Sequence, residues 1–259
     1  MYLRAGLLLL LSAIPLVCQN SLSNSIPSDP QALQIGEACL AASGGRAAIQ
    51  SLRDIRESGT ITYNWGLEPL KGSASIAVLP GSSIRFDASL PGQDRSWYVE
   101  RGQGKFRFNG KTSRIPFHAG VTRSGLTLPF MSLFQALSRS GYRVSYVGTE
   151  TRDDHDVYRI RVELMPGNDD EKQIARLLTT EYLIDSKSYL ILRTEDKAHP
   201  PESMDINQRH ALDYADYRTV DGIQVPFSVV EHVENAQTWS LQFEDVAANS
   251  GLSSSDIKF

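Results

Sequence analysis

Tyr158-Arg159-Ile160-Arg161-Val162-Glu163-Leu164 alternates apolar and charged residues along its whole length. A period of two belongs to an extended strand with one buried face and one wet face. The same pattern recurs through most of the chain after Gly59. Ile84, Phe86 and Ala88 alternate with Arg85, Asp87 and Ser89; Phe106 and Phe108 with Lys105, Arg107 and Asn109; Trp239, Leu241 and Phe243 with Ser240, Gln242 and Glu244. Further strands are read near 58–65, 73–79, 95–100, 142–148, 179–185, 189–195, 211–218 and 223–233. Turn signals at Pro80-Gly81, Pro91-Gly92, Asn109-Gly110 and Asp221-Gly222 separate many of them. About a dozen strands with short links favour antiparallel neighbours, and a sheet this wide curls or closes on itself. The fold class is mainly β, α+β.

Two helical segments break the pattern. Asp29-Pro30 opens the first, with an N-terminal acceptor followed by a residue that needs no donor. Ala32, Ile35, Cys39 and Ala42 then recur at helical spacing, Gly44-Gly45 ends the run, and a short second turn spans Arg46 to Leu52. The other segment lies between Gly110 and Gly141, where a long loop leads into a helix beginning near Leu128-Pro129. Its stripe is Phe130, Leu133, Phe134 and Leu137, which must be buried. It acts either as a core plug of the curved sheet or as a lid over it, and the plug is preferred.

At the N-terminus, Arg4 followed by the apolar run Ala5 to Val17 reads as a cleaved signal peptide over 1–18. The run is about 13 residues, against the roughly 17 to 25 of a membrane-spanning helix. No later segment is long and apolar enough to span a bilayer. Cys18 follows Pro15-Leu16-Val17, a poor match to a lipoprotein cleavage site, so ordinary cleavage is preferred over lipid anchoring. Residues 19–28 form a flexible tether, and 29–259 a single domain. With Cys18 removed, Cys39 is a lone thiol in an exported protein, read as a small core residue, and stability must come from burial alone. The formal net charge is −4, becoming −5 once Arg4 leaves with the leader. No concentrated basic surface is apparent, which disfavours nucleic acid as a partner.

Three segments carry a family resemblance: Tyr182 to Arg193 (YLIDSKSYLILR), Tyr217 to Val230 (YRTVDGIQVPFSVV) and Val246 to Phe259 (VAANSGLSSSDIKF). Together they resemble the closing strands of the outer-membrane lipoprotein-sorting proteins of the LolA-like superfamily, which includes a periplasmic carrier, its outer-membrane receptor and an envelope-stress regulator. The match extends from about Gly44 in layout and is confined to roughly the last eighty residues in motif. The resemblance implies an eleven-stranded antiparallel sheet curled into an incomplete barrel, closed by the N-terminal and mid-chain helices over a hydrophobic cavity. It also implies the periplasm as location. Phe259 is expected to anchor the sheet edge.

No catalytic constellation stands out. The chain has no nucleophile elbow, zinc-protease helix motif, dinucleotide loop or zinc-type cysteine pair. His118, His155, His199, His210 and His232 are scattered and read as solvated or loop residues. Asp153-Asp154-His155-Asp156 and Asn168-Asp169-Asp170-Glu171 could offer carboxylates to a cation, but both read as solvated turns. No catalytic residue, metal or cofactor is therefore assigned. The candidate site is apolar: Tyr63, Trp65, Phe86, Phe106, Phe108, Phe130, Phe134, Leu137, Trp239, Leu241 and Phe243, with Ile61 and Ile84 in the same rows. For each, packing in the core competes with contact to a ligand. The expected partners are lipid or lipoprotein acyl chains, with an envelope protein as the alternative and an uncharacterised hydrolase behind both.

Overall fold

The computed structural model describes residues 28–81, 83–121, 123 and 126–259. The leader and nearly all of the tether read from the sequence lie outside the described residues. Thirteen strands form one antiparallel sheet, two more than the resemblance implies. They are β1 (Ile55–Tyr63), β2 (Leu70–Leu79), β3 (Ser83–Leu90), β4 (Gln93–Glu100), β5 (Gln103–Phe108), β6 (Lys111–Ile115), β7 (Tyr142–Arg152), β8 (His155–Leu164), β9 (Thr180–Asp185), β10 (Ile191–Ala198), β11 (Gln208–Val220), β12 (Ile223–Val233) and β13 (Ala236–Ala248). Among the described residues six helices accompany them: α1 (Pro30–Ala42), α2 (Gly45–Ser51), α3 (Phe117–Gly120), α4 (Pro129–Ser138), α5 (Asp169–Ala175) and α6 (Ser254–Ile257). No helix among the described residues is long and apolar enough to cross a membrane.

The order β6-β5-β4-β3-β2-β1-β13-β12-β11-β10-β9-β8-β7 is two meanders joined where β1 pairs with β13. β6 and β7 end the two wings and do not pair, so the sheet is an open half-barrel. The chain crosses from one wing to the other through α3 and α4, which is why the mid-chain helix sits across the opening.

Local chemistry explains most of the boundaries. Asp29 caps α1 by accepting from the Gln31 N–H at 2.8 Å. Gly44, at φ 122°, lies against the β11–β12 turn, where a Cβ would come within 2.4 Å of the Gly222 carbonyl. Arg101-Gly102, Asn109-Gly110, Asp153-Asp154, Asp221-Gly222 and Glu234-Asn235 have both residues at positive φ, the mirror-image turn that matches strand twist in two-residue hairpins.

Several expectations need correction. The Gly110–Gly141 loop contains β6 and α3. β6 reads Lys-Thr-Ser-Arg-Ile, with a single apolar residue, so an exposed edge strand leaves no alternation to detect. Asn168 to Glu171 starts α5 instead of forming a plain turn: the Asn168 side chain accepts from the Glu171 N–H, and the Glu171 carboxylate reaches back to the Gly167 N–H. Phe259 lies over the outer face, edge-on to Tyr98 at 5.2 Å and under the Arg107 guanidinium at 4.0 Å. Asp54 brings the C-terminal segment there by accepting from Ser250 and Gly251, and Ile257 of α6 is wholly buried.

Candidate functional site

The strand registers align the concave face as rows. One row runs Val246, Glu57, Ile76, Phe86, Trp97 and Phe106 across six adjacent strands. Its aromatic members make a floor: Phe86 stacks on Trp97 with centroids 5.4 Å apart, and Trp239 on β13 leans on Phe86 at 6.4 Å. All three are buried, as are Leu241, Phe243, Ile61 and Ile84.

The floor reaches solvent through the N-terminal wing. Arg95 lies on the same side of β4 as Trp97, and its guanidinium carbon stands 4.4 Å from the Tyr63 ring centroid and 5.0 Å from that of Phe108. Phe108 stacks against Phe106 at 6.5 Å, and Tyr63 contacts Trp65 at 6.1 Å. Burial pushes the Tyr63 hydroxyl up, while the positive charges of Arg95 and Arg123 pull it the other way. Trp65 is 61% exposed and Phe108 38% exposed. Trp65 belongs to the β1–β2 turn, since β1 ends at Tyr63 rather than Trp65.

The α4 stripe divides. Phe130 and Leu133 are buried. Leu137 packs against Gly36 of α1, where a Cβ would come within 2.9 Å of its side chain, and Phe134 lies under Arg46 at 5.6 Å. The eleven sequence-chosen residues therefore fall into three groups. Phe86, Phe130, Trp239, Leu241 and Phe243 are in the core; Tyr63, Trp65, Phe106 and Phe108 gather at the mouth; Phe134 and Leu137 face the N-terminal helices.

A cavity of about 260 Å³ follows the flank of α4 and is bordered by Val99 on one wing and Val162 and Leu212 on the other. It meets α4 through Met131, Ser132, Gln135 and Ala136, not through the stripe chosen from the sequence. Its polar wall is internally bonded: Ser132 Oγ to Tyr182 Oη at 2.8 Å, Thr194 Oγ1 to Tyr214 Oη at 3.3 Å. Asp196 joins His210 Nδ1 at 2.5 Å, and the other ring nitrogen of His210 faces Glu231 at 3.3 Å. Burial alone would lower the His210 pKa, but the two carboxylates prevail and hold it up to about 10. Two larger hollows, of about 760 and 710 Å³, lie on the outer face among serines and ion-paired side chains. Their polar lining makes them poor candidates for an apolar ligand.

Glu57 is the anomaly of the floor. It is completely buried, neither carboxyl oxygen has a hydrogen-bond partner among the described residues, and the neighbouring Thr127 hydroxyl is equally unsatisfied. Burial pushes its pKa up to about 8, with Thr127 a smaller opposing influence.

The histidines are not solvated loop residues as a group. His199 is buried, His210 sits between two acids, and His155 and His232 face Asp185 and Asp213, each at 3.0 Å. Carboxylates on neighbouring strands or turns hold three of the five in place. Asp153 meets Arg152 and Asp156 accepts from Thr151, so that acidic turn is occupied internally. The sequence reading missed Arg95, Trp97 and Arg123. Arg95 and Trp97 share the inward parity of their strand, a cation beside an aromatic on what should be the apolar side.

No protein-family model matches the chain, and no curated protein matches it in sequence. Solved structures do resemble it. An outer membrane lipoprotein-sorting protein domain from Vibrio parahaemolyticus aligns with a TM-score of 0.53 at 14% identity, covering 87% of this chain and 95% of that one. A LolA superfamily protein from Nitrosomonas europaea gives 0.54 at 8% identity, covering 86% and 97%. A DUF1329 family protein from Desulfovibrio piger gives 0.53 at 14%, covering 87% and 98%. The chain has the open half-barrel fold of the LolA-like proteins.

Proposed function

We propose that this chain is an exported, non-enzymatic binder of acyl chains or other hydrophobic ligands, working in the periplasm as a carrier or sensor. The observation that carries this reading is the aromatic floor of Phe86, Trp97 and Trp239, continuous with the half-exposed Tyr63, Phe106 and Phe108 at the mouth. Each methylene buried there is worth about 0.8 kcal/mol, so affinity requires apolar surface more than any special group. The roughly 260 Å³ cavity beside α4 falls below the usual ligand-pocket range of about 300–1,000 Å³. A long chain therefore needs α4 to move or must lie partly along the mouth. The leader over 1–18, the tether and one half-barrel domain over 29–259 belong to this reading.

An envelope protein partner is the second reading, favoured by the exposed Trp65 and Leu67 on the β1–β2 turn. Mass spectrometry of organic extracts from protein purified without detergent tests the first. Stoichiometric lipid is expected; protein that is lipid-free and also fails to take up a fluorescent fatty acid would leave the partner reading in its place.

A further inference from the structure

We infer that the concave face takes an amphiphile with an anionic head, a carboxylate or a phosphate, held between the guanidinium groups of Arg95 and Arg123 over the aromatic floor. This assignment rests on the acyl-binding reading and adds the chemistry of the head group to it.

Every arginine from Arg143 to Arg218 meets a carboxylate within ion-pair distance. None of Arg95, Arg101, Arg107, Arg114 and Arg123 does so with a described carboxylate. From Arg101 to Arg139 the chain carries seven Lys and Arg residues and no Asp or Glu. Arg123, within this stretch, and Arg95, just before it, are the two that lie against the rings of the aromatic floor and its mouth.

Arg95 donates from Nε and Nη2 to the Gln93 side-chain oxygen at 3.1 and 2.8 Å, and from Nη1 to Tyr63 Oη at 3.1 Å. Every acceptor is neutral. Arg123 stands over Trp97 at 5.1 Å, and its Nε donates to the Ala119 carbonyl at 3.1 Å. Glu231 is the acid whose charge acts on Arg123, yet its oxygens are engaged by His210 and by Thr238. With His210 counted as a cation and the buried Glu57 as a neutral acid, the inner face sets Arg95, Arg123 and His210 against Asp196 and Glu231, leaving an excess of one positive charge.

A guanidinium withdrawn from water without a counter-ion is costly, and a carboxylate or phosphate can recover that cost through charge-assisted, often bidentate, hydrogen bonds. Trp97 is two residues from Arg95 on the same strand face, roughly 7 Å along the strand. A head at the guanidinium groups therefore places the first methylenes of its tail on the Phe86–Trp97 stack.

The test is calorimetric titration of the mature full-length chain with lauric acid, lauroyl lysophosphatidic acid, uncharged monolauroylglycerol and inorganic phosphate, each below its micellar concentration. One or both acids should bind at least about tenfold more tightly than the glyceride. Arg123→Gln and Arg95→Gln should each shrink that ratio, and the double variant should bring it near one. Arg95→Lys, which keeps the charge and loses the fork, should fall between. Thermal melting of each variant checks that it is folded. Glyceride and acids binding equally would overturn the head-group assignment and leave acyl binding standing. Binding of inorganic phosphate alone, abolished in the double variant, would assign the arginines to a free anion instead. Failure of all three lipids to bind would remove the acyl-binding reading itself.

Discussion

The two wings of the sheet treat charge differently. On the outer face of the C-terminal wing, Arg159 contacts Glu150, Glu181 and Glu195, Arg161 shares Glu181, and Arg193 bridges Glu195 and Asp213. That network is saturated by the protein itself. In the N-terminal wing Arg95 of β4 and the basic residues of β5 and β6 face solvent, rings or neutral side chains: Arg107 covers Phe259 and Arg95 lies between Tyr63 and Phe108. Arginines can thus serve opposite ends, one set fixing strands to one another and the other available to a partner.

The strongest way to break the comparison is to remove one cation from each wing. His210→Ala strands Asp196 and Glu231 in the core, and losing one member of a buried ionic cluster costs about 3–5 kcal/mol. Arg107→Ala loses a ring contact and should cost about 0.5–1 kcal/mol. Urea unfolding of both variants measures the difference, and equal losses would mean that the N-terminal charges are structural after all.

The next effect depends on pH. Glu57 has a folded pKa of about 8 against the ordinary 4.5, so the folded state holds its proton where the unfolded state has released it. Stability therefore declines as pH rises from 4.5 to about 8, by an amount of the order of 5 kcal/mol. His210, raised from 6.5 to about 10, contributes stability that is complete below pH 6.5 and lost as pH climbs through 10. Glu57→Gln should flatten the decline in melting temperature over the lower window and leave the upper one in place. An unchanged profile would show that water reaches the carboxyl.

The smallest effect separates the two sides of α4. Phe134→Glu puts a carboxylate beneath Arg46, which already holds Glu37 at 2.5 Å. The partial burial of the lost ring suggests a cost near 1 kcal/mol, in the ordinary range for point substitutions. Differential scanning calorimetry showing a loss of several kcal/mol would mark Phe134 as core.

The sheet was legible because alternation is a direct projection of one-sided burial: Tyr158 to Leu164 and Trp239 to Phe243 both lie within strands, β8 and β13. β6 was not legible, since neither face of its first four residues is buried. The site was legible only in part. Alternation tells which side of a strand is inward, and so found Phe86, Phe106 and Phe108. It cannot distinguish a residue sealed in the core, such as Phe243, from one at the mouth, such as Phe108, because that depends on which strand is near an edge. The stretch from Arg101 to Arg139 without an acid is visible in the sequence, but its meaning appears only when the arginines of the other wing are seen to be paired.

The unpaired ends of the sheet have a mechanical consequence. Along every other boundary between neighbouring strands, separation would break a ladder of backbone hydrogen bonds. Between β6 and β7 there is no such ladder, and the cavity beside α4 borders on both wings. Compliance is therefore concentrated at this opening: the half-barrel can widen there with its strand ladders intact, and the interior volume becomes an adjustable quantity.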